Sequence, residues 1–133
     1  MPDNAPEPFA RRRILIVDDD VLMLTFYKSL FSRHEDEFSP SFADSGEDAL
    51  RQLKATRFDA AILDWDTPHL SGLSILKAVR ASSTTHRMRV IMISGRSSSE
   101  DRARALKSGA DDFLAKPFEV KILLASLGAT LLQ

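Results

Sequence analysis

The chain has 133 residues, 44% of them hydrophobic and 28% charged, with a formal net charge of -1 and no cysteine. That length suits one domain with one core, and the near-neutral balance gives no global field for nucleic acid or an anionic membrane surface. The lack of cysteine excludes a disulfide framework, a thiol nucleophile and a thiolate metal site, and no apolar run approaches the roughly 20 residues that a bilayer crossing needs. Residues 1–12 read as a flexible tail, with Pro2, Pro6 and Pro8 among small and acidic residues and arginines at its end. MPDNAPEPFARRR contains no apolar signal core, so the expected compartment is the cytoplasm.

From residue 13 a rhythm begins. Ile14 to Val17 is a β-branched run ending in Asp18, Asp19 and Asp20. Val21 to about Arg33 reads as a helix with Leu22, Phe26 and Leu30 as its stripe. Phe38 to Ala43 is a weak strand, and Pro40 predicts that it lies at a sheet edge. Ser45 is placed to cap a helix through Ala55, with Ala49, Leu50 and Leu53 on one face. Ala60 to Leu63 is a third strand, ending at Asp64. A helix follows over Gly72 to Ala81, with Leu73, Leu76 and Val79 inward. Val90 to Ile93 is a fourth strand, ending at Ser94. Glu100 to Ser108 is a helix that Gly109 can close in the left-handed conformation. Phe113 to Ala115 is a fifth strand, ending at Lys116 and Pro117, and a last helix runs from Glu119 toward Leu132. Continuous apolar strands alternating with helices predict an α/β fold with a doubly wound parallel sheet.

In such a sheet ligands gather at the carboxyl ends of the strands. Asp18, Asp19, Asp64, Ser94 and Lys116 all fall at strand ends, so they are expected to converge. The three carboxylates suit a hard divalent cation, Mg²⁺ or Mn²⁺, with further oxygen from a backbone carbonyl just past Asp64. Asp64 can then form an acyl phosphate, while Lys116 and Ser94 hold phosphoryl oxygens.

The motifs ILIVDDD, AILDWDTPHLSG, VIMISG and GADDFLAKPF, in this order and at this spacing, resemble the receiver domain of bacterial two-component response regulators. The resemblance covers residues 13–133. It implies a flavodoxin-like five-stranded sheet of order 2-1-3-4-5, with two helices on one face and three on the other. It implies Asp64 as phosphoacceptor, Asp18 and Asp19 as the acidic metal pair, and the Asp66 main-chain carbonyl as a further metal ligand. Ser94 becomes the switch hydroxyl, Lys116 the phosphoryl-holding lysine, and Phe113 a switch aromatic that rotates inward when Ser94 moves. The Lys116–Pro117 peptide is expected to be cis. The implied donor is a sensor histidine kinase or a phosphotransfer protein. The implied output surface is the face of the fourth helix, fifth strand and fifth helix. Such a chain accepts a phosphoryl group and slowly loses it, without turnover as an enzyme.

Thr67 stands where many members have Met. Asp66 and Arg96 occupy positions that tune hydrolysis of the acyl phosphate, and a contact between them across the pocket mouth is expected. Asp64 to Thr67 also matches DxDxT, the nucleophile motif of haloacid dehalogenase-like phosphatases. That family places the motif near the start of the chain and its acidic pair after the lysine, whereas here Asp111 and Asp112 precede Lys116. It also leaves Asp18 and Asp19 without a role. A third reading is a receiver-like interaction module that takes no phosphate. The last helix, with Ile122, Leu123, Leu124, Leu127, Leu131 and Leu132, is apolar around its circumference. It is expected either to pack in a homodimer or against a partner, or to continue past Gln133 into a linker. The output is expected to be a contact with another protein or to belong to further chain. His34, His69 and His86 lack the spacing of a metal triad.

Overall fold

The computed structural model describes residues 11–95 and 98–133. Strands and helices alternate as β1 (Arg12–Val17), α1 (Val21–Ser32), β2 (Phe38–Ala43), α2 (Gly46–Ala55), β3 (Ala60–Asp64), α3 (Gly72–Ala81), β4 (Arg89–Ser94), α4 (Ser99–Lys107), β5 (Asp112–Ala115) and α5 (Val120–Leu131). The strands are all parallel, in the order β2-β1-β3-β4-β5. Pro40 therefore lies in an edge strand, where its missing N–H costs no central ladder bond. In the centre Ile16 pairs with Ile62, Ile62 with Ile91, and Asp64 with Ile93.

Polar side chains start four of the helices. Asp20, Ser45, Ser71 and Ser98 each accept a backbone N–H from the first turn of α1, α2, α3 and α4. Each satisfies a donor that the helix itself cannot use. Gly109, at φ 112°, follows the end of α4 in the left-handed region that favours glycine.

The sheet separates two apolar layers. Leu15, Val17, Ala61, Leu63, Val90 and Met92 face α2, α3 and α4. Ile14, Ile16, Ala60, Ile62, Ile91 and Ile93 face α1 and α5. Alternate residues of each central strand thus enter opposite layers, which explains the unbroken apolar runs.

Three local expectations change. β1 begins at Arg12, two residues before the apolar run, because Arg12 donates its backbone N–H to the Glu37 carbonyl and Arg13 pairs with Ser39. In α1 the inward seam is Leu24, Tyr27, Leu30 and Phe31, whereas Leu22 is 80% and Phe26 36% exposed. The helix has two apolar seams sharing Leu30, and the sheet takes the one built on Tyr27. In α5 most of the apolar circumference is spent inside the domain. Leu123 and Leu127 are buried and Leu124 and Leu131 pack against the same layer, which leaves Ile122 and Leu132 exposed.

Candidate functional site

The carboxyl ends of β1, β3 and β4 and the turn after β5 meet at one edge of the sheet. Asp18 follows the last residue of β1, and its backbone N–H donates to the Ala43 carbonyl of β2 (3.1 Å), which fixes the chain as it leaves the sheet. The Asp18 side chain is 1% exposed and accepts the Asp20 backbone N–H at 2.9 Å. Asp64 ends β3 and is 5% exposed. Carboxylate oxygens of Asp18, Asp19 and Asp64 lie within 4.8 Å of one another.

Lys116 reaches this cluster from the turn after β5. Its Nζ is 3.2 Å from Asp18 Oδ2 and 3.3 Å from Asp64 Oδ1. The Lys116–Pro117 peptide is cis, and the Lys116 backbone N–H donates to the Ser94 carbonyl at 2.7 Å. The end of β4 thereby holds the lysine in place. Phe118, two residues on, stacks against Tyr27 of α1 (6.2 Å between ring centroids) and meets Phe26 edge-on (6.1 Å).

The electrostatics follow from the placement. Burial, and then the neighbouring Asp18 charge, push the Asp64 carboxyl above its ordinary range; Lys116 and the Asp66 backbone N–H pull it partly back. For Lys116 burial alone would lower the pKa, but the combined pull of Asp64 and Asp18 raises it, so the ammonium stays charged. Burial, then the Asp18 and Asp64 charges, also push the Tyr27 phenol far up, which keeps it neutral. Three carboxylates and one ammonium leave formal negative charge at this edge, with Asp18 and Asp64 buried and Asp19 exposed. Hard oxygen donors at this mutual distance suit Mg²⁺, which is bound through a few carboxylates and water.

A tight loop follows Asp64. Thr67 is buried, and its hydroxyl donates to the Leu70 carbonyl at 2.5 Å. The Gly72 N–H donates to the Trp65 carbonyl at 2.9 Å. A Cβ on Gly72 would come within 2.3 Å of the Asp64 carbonyl oxygen, so the return of the chain under the site requires glycine.

Asp18, Asp19, Asp64 and Lys116 are thus brought together, with Ser94 fully buried at the adjoining end of β4. Asp66 is exposed at the rim. Arg96, and the contact expected of it, lie outside the described residues. Phe113 is 4% exposed with its ring edge-on to Trp65 (6.2 Å, 88°). Three contributors went unnoticed in the sequence. Asp20 caps α1, Trp65 backs Phe113, and Tyr27 supports the turn after Lys116. Only Asp20, an acidic residue just before a helix, carried a local signal.

A family model described as the response regulator receiver domain matches residues 14–128. The phosphate regulon transcriptional regulatory protein PhoB of Escherichia coli is 35% identical over 120 residues, covering 90% of this chain and 52% of the relative. The transcriptional regulatory protein PrrA of Mycobacterium leprae is 40% identical over 125 residues, covering 89% and 52%. The chain thus spans about half the length of the curated relatives it matches. Among solved structures, a Francisella response regulator receiver domain superposes with a TM-score of 0.84 at 30% identity, covering 91% of this chain and 97% of that one. The receiver domain of a Pseudomonas aeruginosa sensor histidine kinase, with a magnesium ion coordinated in its active-site cleft, superposes with a TM-score of 0.83 at 27% identity, covering 93% and 100%. With strand order, acidic cluster and family match in agreement, the chain belongs to the response regulator receiver family of two-component signalling.

Proposed function

We propose that Asp64 accepts a phosphoryl group from the phosphohistidine of a sensor kinase or phosphotransfer protein. The observation that carries this reading is the buried Asp64 carboxylate held between two further carboxylates and Lys116. The Asp64 oxygen forms a bond to phosphorus as the phosphorus–nitrogen bond breaks, and that electron pair stays on the imidazole nitrogen. The Asp66 backbone N–H orients the Asp64 carboxylate, Lys116 holds one phosphoryl oxygen as a point charge, and the Ser94 hydroxyl holds another. Asp18, Asp19, Asp64 and the Asp66 main-chain carbonyl would bind Mg²⁺, which when bound offsets the negative charge of the pocket and of the entering group. The product is a protein acyl phosphate that water slowly removes, with Asp66 and Arg96 setting the rate, so the chain acts as a signal carrier rather than a turnover enzyme.

Two surfaces support the partner side of the proposal. Val21, Leu22 and Phe26 expose apolar area on α1 beside Asp20, a place where a donor helix would hold its histidine over the pocket. The α4–β5–α5 face exposes Leu106 and Ile122, and there Arg102 of α4 donates to the Phe113 carbonyl at 2.9 Å. Ser94 and Phe113 would bias this face toward a downstream partner or a second copy of the chain when Asp64 is modified. A kinase donor of this kind makes the cytoplasm the working compartment, and no helix among the described residues is long and apolar enough to cross a membrane.

The test is intact mass after incubation with Mg²⁺ and acetyl phosphate, followed over time beside released phosphate. A single phosphoryl adduct, absent in Asp64→Asn and in metal chelator, is expected. Steady phosphate release with no lasting adduct would favour the phosphatase reading of the DxDxT match. Neither adduct nor release would leave a binding module.

A further inference from the structure

The amino-terminal ends of the strands open onto a second concavity, about 600 Å³ in volume, on the pole opposite the carboxylates. Strands of five to six residues separate the two poles by roughly 17–20 Å. The cavity is walled by residues 53–59, where α2 turns into β3, by residues 83–89, where α3 turns into β4, by Arg12, and by the end of α5.

Its charge is lopsided. The whole chain has 18 basic and 19 acidic residues. Yet Arg12, Lys54, Arg57, Arg87 and Arg89 all line this one cavity, against a single acidic side chain, Asp59. Asp59 already accepts the Arg13 backbone N–H at 2.8 Å. Arg89 donates to the Gln133 carbonyl at 2.8 Å and lies 3.6 Å from Asp111. The other four cations are exposed and have no ion-pair partner among the described residues. Beneath them the floor is partly apolar, with Leu53 half-buried and Phe58 and Met88 nearly buried.

Four unpaired cations around one hollow repel each other, and an anion of several charges would relieve that repulsion. Guanidinium forks match phosphate oxygens in pairs and also stack on planar rings. The volume falls in the range of small-molecule sites. A bounded hollow with a partly apolar floor suits a compact ligand better than a nucleic-acid backbone, which needs an extended basic track. We propose that this cavity binds a nucleotide polyphosphate, with the phosphates among Arg12, Lys54, Arg57 and Arg87 and the base against the partly apolar floor. The site is separate from Asp64 and does not depend on the phosphoacceptor reading.

The test is a titration with ATP, and separately with tripolyphosphate, in chelator and about 0.15 M salt, read from backbone amide NMR shifts. Saturable shifts confined to Arg12, residues 53–59, residues 83–89 and the end of α5 are expected, with ATP binding tighter than tripolyphosphate. Arg57→Ala/Arg87→Ala should weaken ATP binding about tenfold or more, and its unperturbed amide spectrum elsewhere would show that the fold is intact. Lys54→Ala should weaken it less. The proposal is overturned by no saturable binding at millimolar ATP, by tripolyphosphate binding as well as ATP, by shifts centred on residues 18–20 and 64–66, or by tighter binding of a short DNA duplex or an acidic peptide.

Discussion

Asp64 carries its charge where burial and Asp18 disfavour it, so its folded pKa lies above the ordinary 3.8. A carboxyl raised on folding contributes stability while it is protonated. That contribution is whole below the unfolded value and is lost as pH rises through the raised folded value. At neutral pH in chelator the charged Asp64 therefore opposes folding. Asp64→Asn should melt a few degrees higher than wild type at pH 7, with the difference shrinking toward pH 4, as scanning calorimetry would read. Added Mg²⁺ should raise the wild-type melting temperature by linkage and leave the variant nearly unmoved. A lower melting temperature for the variant in chelator would show that the Lys116 pairing outweighs burial. Gly72 is the other sensitive position. Gly72→Ala drives a Cβ against the Asp64 carbonyl and should cost about 1–3 kcal/mol in urea denaturation, slowing phosphoryl uptake as Asp64 shifts. Asp18, Asp64, Ser94 and Lys116 were legible because each interrupts or ends an apolar strand run. Trp65 and Tyr27 were not, because each acts through a ring 48 or 91 positions away in sequence, at Phe113 and Phe118.

Helix α1 shows where pattern reading fails. Leu22, Phe26 and Leu30 and the seam of Leu24, Tyr27, Leu30 and Phe31 are both apolar, and periodicity alone cannot rank them. The turn from β1, with Asp20 capping Leu22, decides which seam meets the sheet. The consequence is measurable by denaturation. Leu22→Lys should change stability by no more than about 0.5 kcal/mol, whereas Tyr27→Ala should cost about 3–5 kcal/mol. Leu22→Lys should instead slow phosphoryl transfer from a kinase while leaving uptake from acetyl phosphate unchanged. In contrast α2 and α3 read correctly from sequence, since each has one apolar stripe and a serine cap.

Across the whole molecule, alternation and Pro40 were enough to predict the layers and the edge strand, because chain-order rules leave few other solutions. What ties α3 to the turns before β4 and β5 was hidden. Arg80, at the end of α3, donates to the Gly109 carbonyl after α4 and to the Met88 carbonyl before β4, and meets Asp111 at 3.1 Å. Nothing local distinguishes that arginine from a solvated one. Arg80→Ala strands those carbonyls and should cost about 2–3 kcal/mol in the urea midpoint. β3 carries one more consequence. Ala60 to Leu63 are apolar toward both layers, so sliding this strand inward by one residue would leave its apolar pattern almost unchanged, unlike a half-polar strand, where a slip exposes one whole side. What such a slip would do is drag the Asp64 carboxylate between two greasy layers, away from Lys116 and water, at a cost of several kcal/mol. The charge proposed to receive the signal is thus also the marker that tells the central strand where to stop.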